Sequence, residues 1–182
     1  MGTGYSVEAK SRKDLRRLAY VIRKSAGLED VIYFPVVEFL ELMPRMFEGF
    51  NWEIVEDDYF PVNVHGETVI TQGIVRIKES VYDGACEGDG QHRMTIMHEI
   101  AHWIMLCFLE FSLQRNFSND EVITYCDPEW QAKCLAGEMM MPAHLVSSYM
   151  PKKLVEECGV SKAAAAFHRK KFREEAKEKN RL

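Results

Sequence analysis

The pattern of apolar and polar positions predicts two helices within the first 45 residues. Residues 12–26 carry apolar side chains at helical spacing, with Ser11 as the N-cap and Gly27 as the terminator. A second helix is predicted to begin near Pro35 and to stop near Pro44. The polar face of the first helix is basic, and we expect it to be solvated: Arg12, Lys13, Arg16, Arg17, Arg23 and Lys24.

The next part of the chain is rich in β-branched residues and predicts strands. Trp52–Val55 is one, and Val69-Ile70 and Ile74–Ile77 flank Gln72-Gly73 as a hairpin, with a glycine-rich loop at Gly84–Gly90 afterwards. A free strand edge here would bind an extended peptide through main-chain hydrogen bonds. The candidate substrate-binding residues are then Ile74, Val75, Arg76 and Ile77. An ordinary hairpin at a sheet edge explains the pattern equally well.

The most informative pattern is a helix around Gln91–Met105. Its apolar positions recur at helical spacing and predict a nearly buried helix: Met94, Met97, Ile100, Ala101, Ile104, Met105 and Phe108. At its centre, His98, Glu99 and His102 form an H-E-x-x-H motif. Residues four apart lie on one helix face, so both imidazoles can bind one metal ion while Glu99 lies beside it. Zn²⁺ suits such ligands, and a carboxylate nearby can take a proton from bound water. A chance match, or two buried and hydrogen-bonded histidines, is the alternative.

A further helix is predicted from Asp127, which can cap it, and Pro128 to Pro142. Its buried face consists of small and apolar residues: Ala132, Leu135, Ala136, Met139 and Met140. Glu129 lies on the same side in the first turn, where a carboxylate needs a partner, and we predict it as the third metal ligand. Glu129 could instead stabilise the helix N-terminus. Glu138 is a weaker candidate, because it lies among methionines near the helix end.

Length and composition limit the classes of protein that fit. The 182 residues suffice for one domain with a small appendage, which we divide at 1–150 and 151–182. The net charge is −5, but Ser161–Leu182 carries +5, so the remainder carries −10 and nucleic-acid binding is not expected. No apolar run reaches transmembrane length and no secretory signal begins the chain, so no membrane association is expected. Five cysteines without a C-x-x-C motif indicate reduced thiols and a cytoplasmic location.

Together, the two helical motifs resemble those of the ImmA/IrrE family of zinc-dependent endopeptidases. H-E-x-x-H at residues 98–102 is followed by E-x-x-A-x-x-x-A-x-x-x-M-M-P at residues 129–142, with Leu135-Ala136 where Phe-Ala is usual. The segment Val160–Arg169 is a looser match to V-S-x-x-A-x-x-x-R, because its arginine comes one position late. The resemblance covers roughly Val69–Arg169. No C-terminal sensor domain follows, so we do not expect the sensing role of longer relatives.

The resemblance implies an α+β fold with a zincin-like metallopeptidase core. In such a core a small, edge-exposed β-sheet packs on helices that include the H-E-x-x-H helix, and a short C-terminal helical region follows. The family's ligands correspond to His98, His102 and Glu129 around Zn²⁺, with Glu99 as the general base. The implied activity is that of a cytoplasmic, gluzincin-type endopeptidase, often borne on mobile elements. Its expected partner is a protein substrate, a DNA-binding repressor or an antitoxin.

Two other functional classes remain open. One is a non-catalytic zinc-binding partner or toxin component, against which the intact Glu99 argues. The other is a transcription factor that uses Val160–Arg173 as a helix-turn-helix, against which the acidic body and the lack of a clear turn between two helices argue. Candidates for stabilising an oxyanion are Tyr125, His144 and His65. Candidate lid loops are Gly84–Gly90 and Arg115–Asp120, and the sequence does not indicate an oligomeric state.

Overall fold

A computed structural model describes residues 5–108, 114–115 and 124–179, and within them the fold is α+β. The strands are β1 (Tyr5–Ser6), β2 (Asn51–Val55), β3 (Gly66–Val69), β4 (Ile74–Lys78) and β5 (Gln114–Arg115). The α-helices are α1 (Arg12–Ser25), α2 (Val36–Met46), α3 (Glu79–Cys86), α4 (Gly90–Phe108), α5 (Pro128–Met140), α6 (Ala143–Val146), α7 (Pro151–Cys158) and α8 (Lys162–Lys179). Short 3₁₀ turns occupy Ile70–Gln72 and Thr124–Cys126.

Helix α1 begins at the predicted cap. The Ser11 hydroxyl accepts from the backbone N–H of Asp14, whose carboxylate accepts from the N–H of Ser11, which forms a capping box. Gly27, at φ +69°, follows the end of the helix.

The prediction that the basic face of α1 is solvated is wrong for three of its residues. Arg23 is fully buried, and Arg12 and Arg16 both bind the buried carboxylate of Glu138. The reason is a tertiary contact: α1 packs extensively against α5, and α5 carries Glu138.

Helix α2 starts after Pro35, as predicted, but does not stop at Pro44. It continues to Met46, and the N–H of Phe47 still donates to the carbonyl of Met43, at 2.9 Å. Pro44 lies in the last turn, where its missing N–H removes one hydrogen bond and its ring does not interrupt a following turn.

The predicted hairpin is confirmed, but its position in the sheet is not the predicted one. Strand β4 pairs antiparallel with β3 and parallel with β2, so the strand order is β2-β4-β3. The segment Ile74–Ile77 therefore lies in the central strand, and both of its edges are already hydrogen-bonded. The parallel partner β2, which includes the predicted strand Trp52–Val55, comes from about twenty residues earlier and occupies the edge that we expected to be free.

The glycine-rich segment before α4 is mostly helical, contrary to the predicted loop. Helix α3 runs through Gly84, and only residues 87–89 connect it to α4. A Cβ atom at position 84 would overlap the ring of His92 on α4, so any larger residue there would displace that side chain. The other predicted lid loop, Arg115–Asp120, lies outside the described residues beyond Arg115.

One hydrophobic core joins the central helices to the C-terminal ones. The predicted buried faces of α4 and α5 are confirmed for the side chains that the structure describes, with Met97, Ile100 and Ala136 fully buried and Met94 partly so; the side chain of Phe108 lies outside them. The helices beyond residue 150 contribute to the same core: Leu154, Cys158, Val160, Ala165 and Phe172. A turn at Gly159, in the left-handed region at φ +59°, separates α7 from α8. It lies just before Val160–Arg173, the segment expected to lack a clear turn, in which the structure has the single helix α8.

None of the described helices is both long and apolar enough to span a membrane. The four cysteines whose side chains are described are free, as predicted: Cys86, Cys126, Cys134 and Cys158.

Candidate metal centre

Helix α4 presents His98 and His102 on one face, one turn apart. Their Nε2 atoms are 3.2 Å from each other, and both side chains are about one-fifth exposed. The rest of the helix is anchored in the core, since Met97, Ile100 and Ala101 are fully buried. Two nitrogens this close repel each other unless a proton or a cation lies between them. The pair is therefore suited to share a positive ion.

Helix α5 supplies the third donor. The Asp127 carboxylate caps this helix by accepting from the N–H of Glu129, at 2.9 Å, and Pro128 occupies the first turn. This start directs Glu129 towards α4, where its carboxylate oxygens lie 3.4 Å from His98 Nε2 and 3.1 Å from His102 Nε2. Hydrogen bonds from His102 and then His98 hold the pKa of Glu129 well below its usual range. The carboxylate is therefore charged and available as a ligand.

The spacing of these three donors fits a tetrahedral metal ion. A zinc ion with bonds of about 2.05 Å separates neighbouring donor atoms by roughly 3.3 Å. The observed separations of 3.2, 3.4 and 3.1 Å are close to that value. His98, His102 and Glu129 together could hold a metal ion. Nδ1 of His98 is buried and has no hydrogen-bond partner among the described residues, so packing orients this ring.

The carboxylate of Glu99 lies beside the trio without belonging to it. Glu99 is 8% exposed, and Thr68 of β3 donates its hydroxyl to Glu99 Oε2 at 2.7 Å and approaches the Glu99 carbonyl oxygen at 3.0 Å. Strand β3 approaches α4 closely at this point, since a Cβ atom at Gly66 would lie 3.0 Å from Glu99 Cγ. Thr68 was not anticipated, and only its place in a β-rich segment before H-E-x-x-H would have suggested it.

A cleft of about 1040 Å³ opens next to these residues. Its walls come from residues 63–68 at the start of β3, from the exposed face of α4, from the first turns of α5, and from the first turns of α8. The metal trio and Glu99 all line it. A ligand in the cleft can therefore reach the open side of a bound metal ion.

The predicted substrate-binding residues do not line this cleft. Val75 and Ile77 are fully buried, and Ile74 and Arg76 lie in the same central strand. Arg76 is engaged with Glu53, at 2.5 Å. The strand that borders the cleft is β3, and its outer edge has no strand partner in the part of the chain that the structure describes.

Of the three candidates for stabilising an oxyanion, only His65 lines the cleft. His144 donates from Nε2 to the carbonyl of Glu29 at 2.8 Å and packs on Tyr20. Tyr125 packs edge-on against Trp130 and is not among the residues that line the cleft. His65 is exposed at the rim, immediately before β3.

Comparison with known proteins gives a fold relation. No protein-family model matches this sequence, and no curated protein matches it significantly. Among solved structures, the fold is similar to that of a Mycobacterium tuberculosis transcriptional regulator, with a TM-score of 0.57 and 16% sequence identity. The similarity covers 86% of this chain and 46% of that protein, so this chain spans less than half of its length. At this level of identity the similarity concerns the fold alone.

Proposed function

We propose that the protein is a zinc-dependent endopeptidase of the ImmA/IrrE type that cleaves a specific protein. The observation that supports this most directly is the convergence of His98, His102 and Glu129 at tetrahedral spacing, with Glu99 beside them in an open cleft. A set of two imidazoles and one carboxylate, with a position left open, is characteristic of catalytic zinc sites. The small sheet packed against α4 is compatible with a zincin-like core.

The roles of the residues follow from their positions. Zinc, when bound, supplies a Lewis acid that polarises the scissile carbonyl and acidifies a water molecule. Glu99 accepts a proton from the attacking water and delivers it to the leaving amine. Thr68 holds one carboxylate oxygen of Glu99 in place through its hydroxyl group. His65, at the cleft rim, is the remaining candidate for a hydrogen bond to the developing oxyanion.

The open edge of β3 offers a surface for the substrate. Gly66–Val69 borders the cleft and uses its other edge to pair with β4. An extended peptide that adds to this edge would gain main-chain hydrogen bonds and pass over Glu99. This replaces the earlier assignment of the same role to the central strand.

The proposed substrate is a DNA-binding repressor or antitoxin. This part comes from the resemblance of the two helical motifs, and the name of the structurally similar protein, a transcriptional regulator, agrees with a role in transcription. Cleavage of a repressor would release the genes that it silences.

The decisive experiment uses Glu99→Gln in the full chain, purified with zinc, both as a substrate trap and in a cleavage assay. We expect the variant to retain one zinc equivalent, because Glu99 is not a ligand, and to lose cleavage by about 10²–10⁴-fold. Captured proteins are identified by mass spectrometry and incubated with the wild-type protein. The expected result is a DNA-binding regulator that the wild type cuts at one site.

Two control variants sharpen the result. Glu53→Gln makes the same change at an exposed carboxylate outside the cleft, paired with Arg76 at 2.5 Å, and should retain cleavage. Glu129→Gln should lose zinc. A Glu99→Gln protein with full biological effect would refute the peptidase proposal and favour the non-catalytic zinc-binding partner.

A DNA-binding regulator is a second candidate, favoured by the turn at Gly159 that joins α7 to α8. Against it, the first turns of α8 face the cleft and His168 is buried against α5, so the helix that would enter a DNA groove is not free. Binding of the full chain to duplex DNA that weakens steeply as salt rises would support this candidate.

A further inference from the structure

Helix α8 forms one wall of the cleft, although it supplies no metal ligand. Ala164 and Phe167 of α8, and Ser161 just before it, line the cleft, and Met94 of α4 and Trp130 of α5 line it alongside them. The C-terminal region therefore shapes the space into which a substrate bound at the metal centre extends.

The position of this wall is set by close packing at two points. At Gly137 of α5, a Cβ atom would overlap the imidazole of His168, which is 3% exposed and whose Nδ1 accepts from Arg12 at 2.8 Å. At Gly90, the first residue of α4, a Cβ atom would overlap the backbone of Val160. Because neither contact leaves room for a side chain, the wall is preformed.

Apolar side chains from three helices, α4, α5 and α8, contribute to the lining of the cleft. Phe167 is 50% exposed although it is an aromatic residue on a packed helix. Met94, Trp130 and Ala164 are partly buried and pack against the core. Ala164 has a small side chain and precedes Phe167 by three residues on the side of α8 that lines the cleft.

The charged side chains of the cleft lining either have partners of opposite charge or lie on walls other than α8. The Arg12 guanidinium is bound to Glu138 at 2.7 Å, and Lys133 lies 3.9 Å from Glu129. The acidic groups of the lining belong to β3 and to the metal centre, not to α8. Arg12 and Lys171 lie 5.9 and 5.8 Å from the Phe167 ring, but each already pairs with a carboxylate. A charged group placed against Ala164 and Phe167 would therefore lose hydration and gain at most a shared ion pair.

The apolar surface is close enough to the metal centre to contact a residue near the bond to be cut. Met94 precedes His98 by one helical turn, about 6 Å along the helix axis. Alternate side chains of an extended peptide on one face are separated by about 6.8 Å. A peptide held at the metal thus places a side chain within one or two residues of the scissile bond against this surface.

The geometry points to a specificity pocket, formed by Met94, Trp130, Ala164 and Phe167, that accepts a large aliphatic or aromatic side chain of the substrate. The inference rests on the proposed peptidase function. It adds that the cleaved regulator carries such a side chain next to the scissile bond.

Peptide hydroxamates test the pocket without requiring turnover. Four probes differ only in one side chain, which is methyl, isobutyl, benzyl or carboxyethyl, and their binding to the zinc-loaded full chain is measured by calorimetry. The isobutyl and benzyl probes should bind at least about 10-fold more tightly than the methyl probe, because they bury several more carbons. The carboxyethyl probe should bind no better than the methyl probe.

A matched pair of variants locates the effect. Ala164→Leu should fill the pocket and weaken the isobutyl and benzyl probes about 10-fold, while the methyl probe is unchanged. Ala163→Leu, on the exposed face of the same helix, should change none of them. If Ala164→Leu does not fold, Phe167→Ala is the second variant, and it should abolish the preference for benzyl over methyl.

The outcomes distinguish a failure of the pocket proposal from a failure of the proposed peptidase function. Zinc-dependent binding of all four probes with equal affinity, or tightest binding of the carboxyethyl probe, overturns the pocket and leaves the proposed peptidase intact. Equal effects of the two alanine variants also overturn it. Absence of any zinc-dependent hydroxamate binding overturns the proposed function and the pocket together.

Discussion

Gly137→Ala tests how α8 is docked, because two known effects of this substitution oppose each other. In a helix interior, glycine to alanine normally stabilises by roughly 0.5–1 kcal/mol. Here, however, the new methyl group would overlap the ring of His168. His168 is buried and bonded to Arg12, so the ring cannot move aside without losing that bond.

The expected sum is destabilising. Overpacking a core costs about 1–3 kcal/mol, and a lost hydrogen bond from a charged donor costs about 1.5–3 kcal/mol. After the gain in helix propensity is subtracted, we expect Gly137→Ala to lower the free energy of unfolding by about 3.5 kcal/mol. For a chain of this size that corresponds to a fall in Tm of roughly 7–14 °C.

A double-mutant cycle with His168→Ala makes the reasoning specific. Removing the imidazole alone should destabilise by about 2–3 kcal/mol, because it leaves a cavity and an unpaired donor on Arg12. In that background the methyl group at position 137 has space, so Gly137→Ala should become stabilising. Urea unfolding of the four proteins measures the sign directly. A stabilising Gly137→Ala in the wild type, or the same effect in both backgrounds, would refute the docking described here.

Three further predictions concern single side chains. Thr68→Val should lower kcat/KM by about 10–100-fold, mostly through kcat and at unchanged zinc content, because the hydrogen bond to the Glu99 carboxylate is lost. Thr95→Val removes a hydroxyl from the same cleft without touching Glu99 and should leave kcat/KM unchanged. Glu138→Gln should lower the free energy of unfolding, measured in urea, by about 3 kcal/mol, because the guanidinium groups of Arg12 and Arg16 lose a buried carboxylate partner. The exposed control Glu156→Gln should change it by under about 0.5 kcal/mol. The pKa of His168 is lowered to about 3, first by burial and then by the charges of Arg12 and Arg16, so the imidazole is neutral in the folded state. The stability that the neutral imidazole contributes is complete above about pH 6.5 and is lost as pH falls towards 3. The wild type should therefore lose stability between pH 6 and 4 more steeply than His168→Gln, by up to about 1.4 kcal/mol per pH unit, and equal slopes would contradict the shift.

The parts of the site that local geometry determines were predictable from the sequence. His98, Glu99 and His102 lie within five residues of one helix, so their common face follows from the helical repeat. Glu129 was also predictable, because a carboxylate on a stripe of alanines requires a partner, and the structure places it against both histidines. The metal identity and the role of Glu99 stay predictions.

The parts that depend on distant segments were not predictable. The residues Ile74–Ile77 were predicted to form an edge strand because the sequence around them does not indicate the parallel pairing with β2. The basic face of α1 has the pattern of a solvated helix, yet Arg12 and Arg16 bind a glutamate more than a hundred residues away. Thr68 acts through a contact across the sheet–helix interface, which a β-rich pattern does not specify.

Helix α5 links these distant features, because its two ends carry different tasks. Its first turn supplies Glu129 to the candidate metal centre, and its last turns contact α8 at Gly137 and pair Glu138 with α1. A substrate held between these ends would contact the metal centre and the wall formed by α8 at the same time. The boundary predicted at residue 150 therefore falls between two regions that border one cleft, and changes in how α8 docks should alter substrate selection without removing a metal ligand.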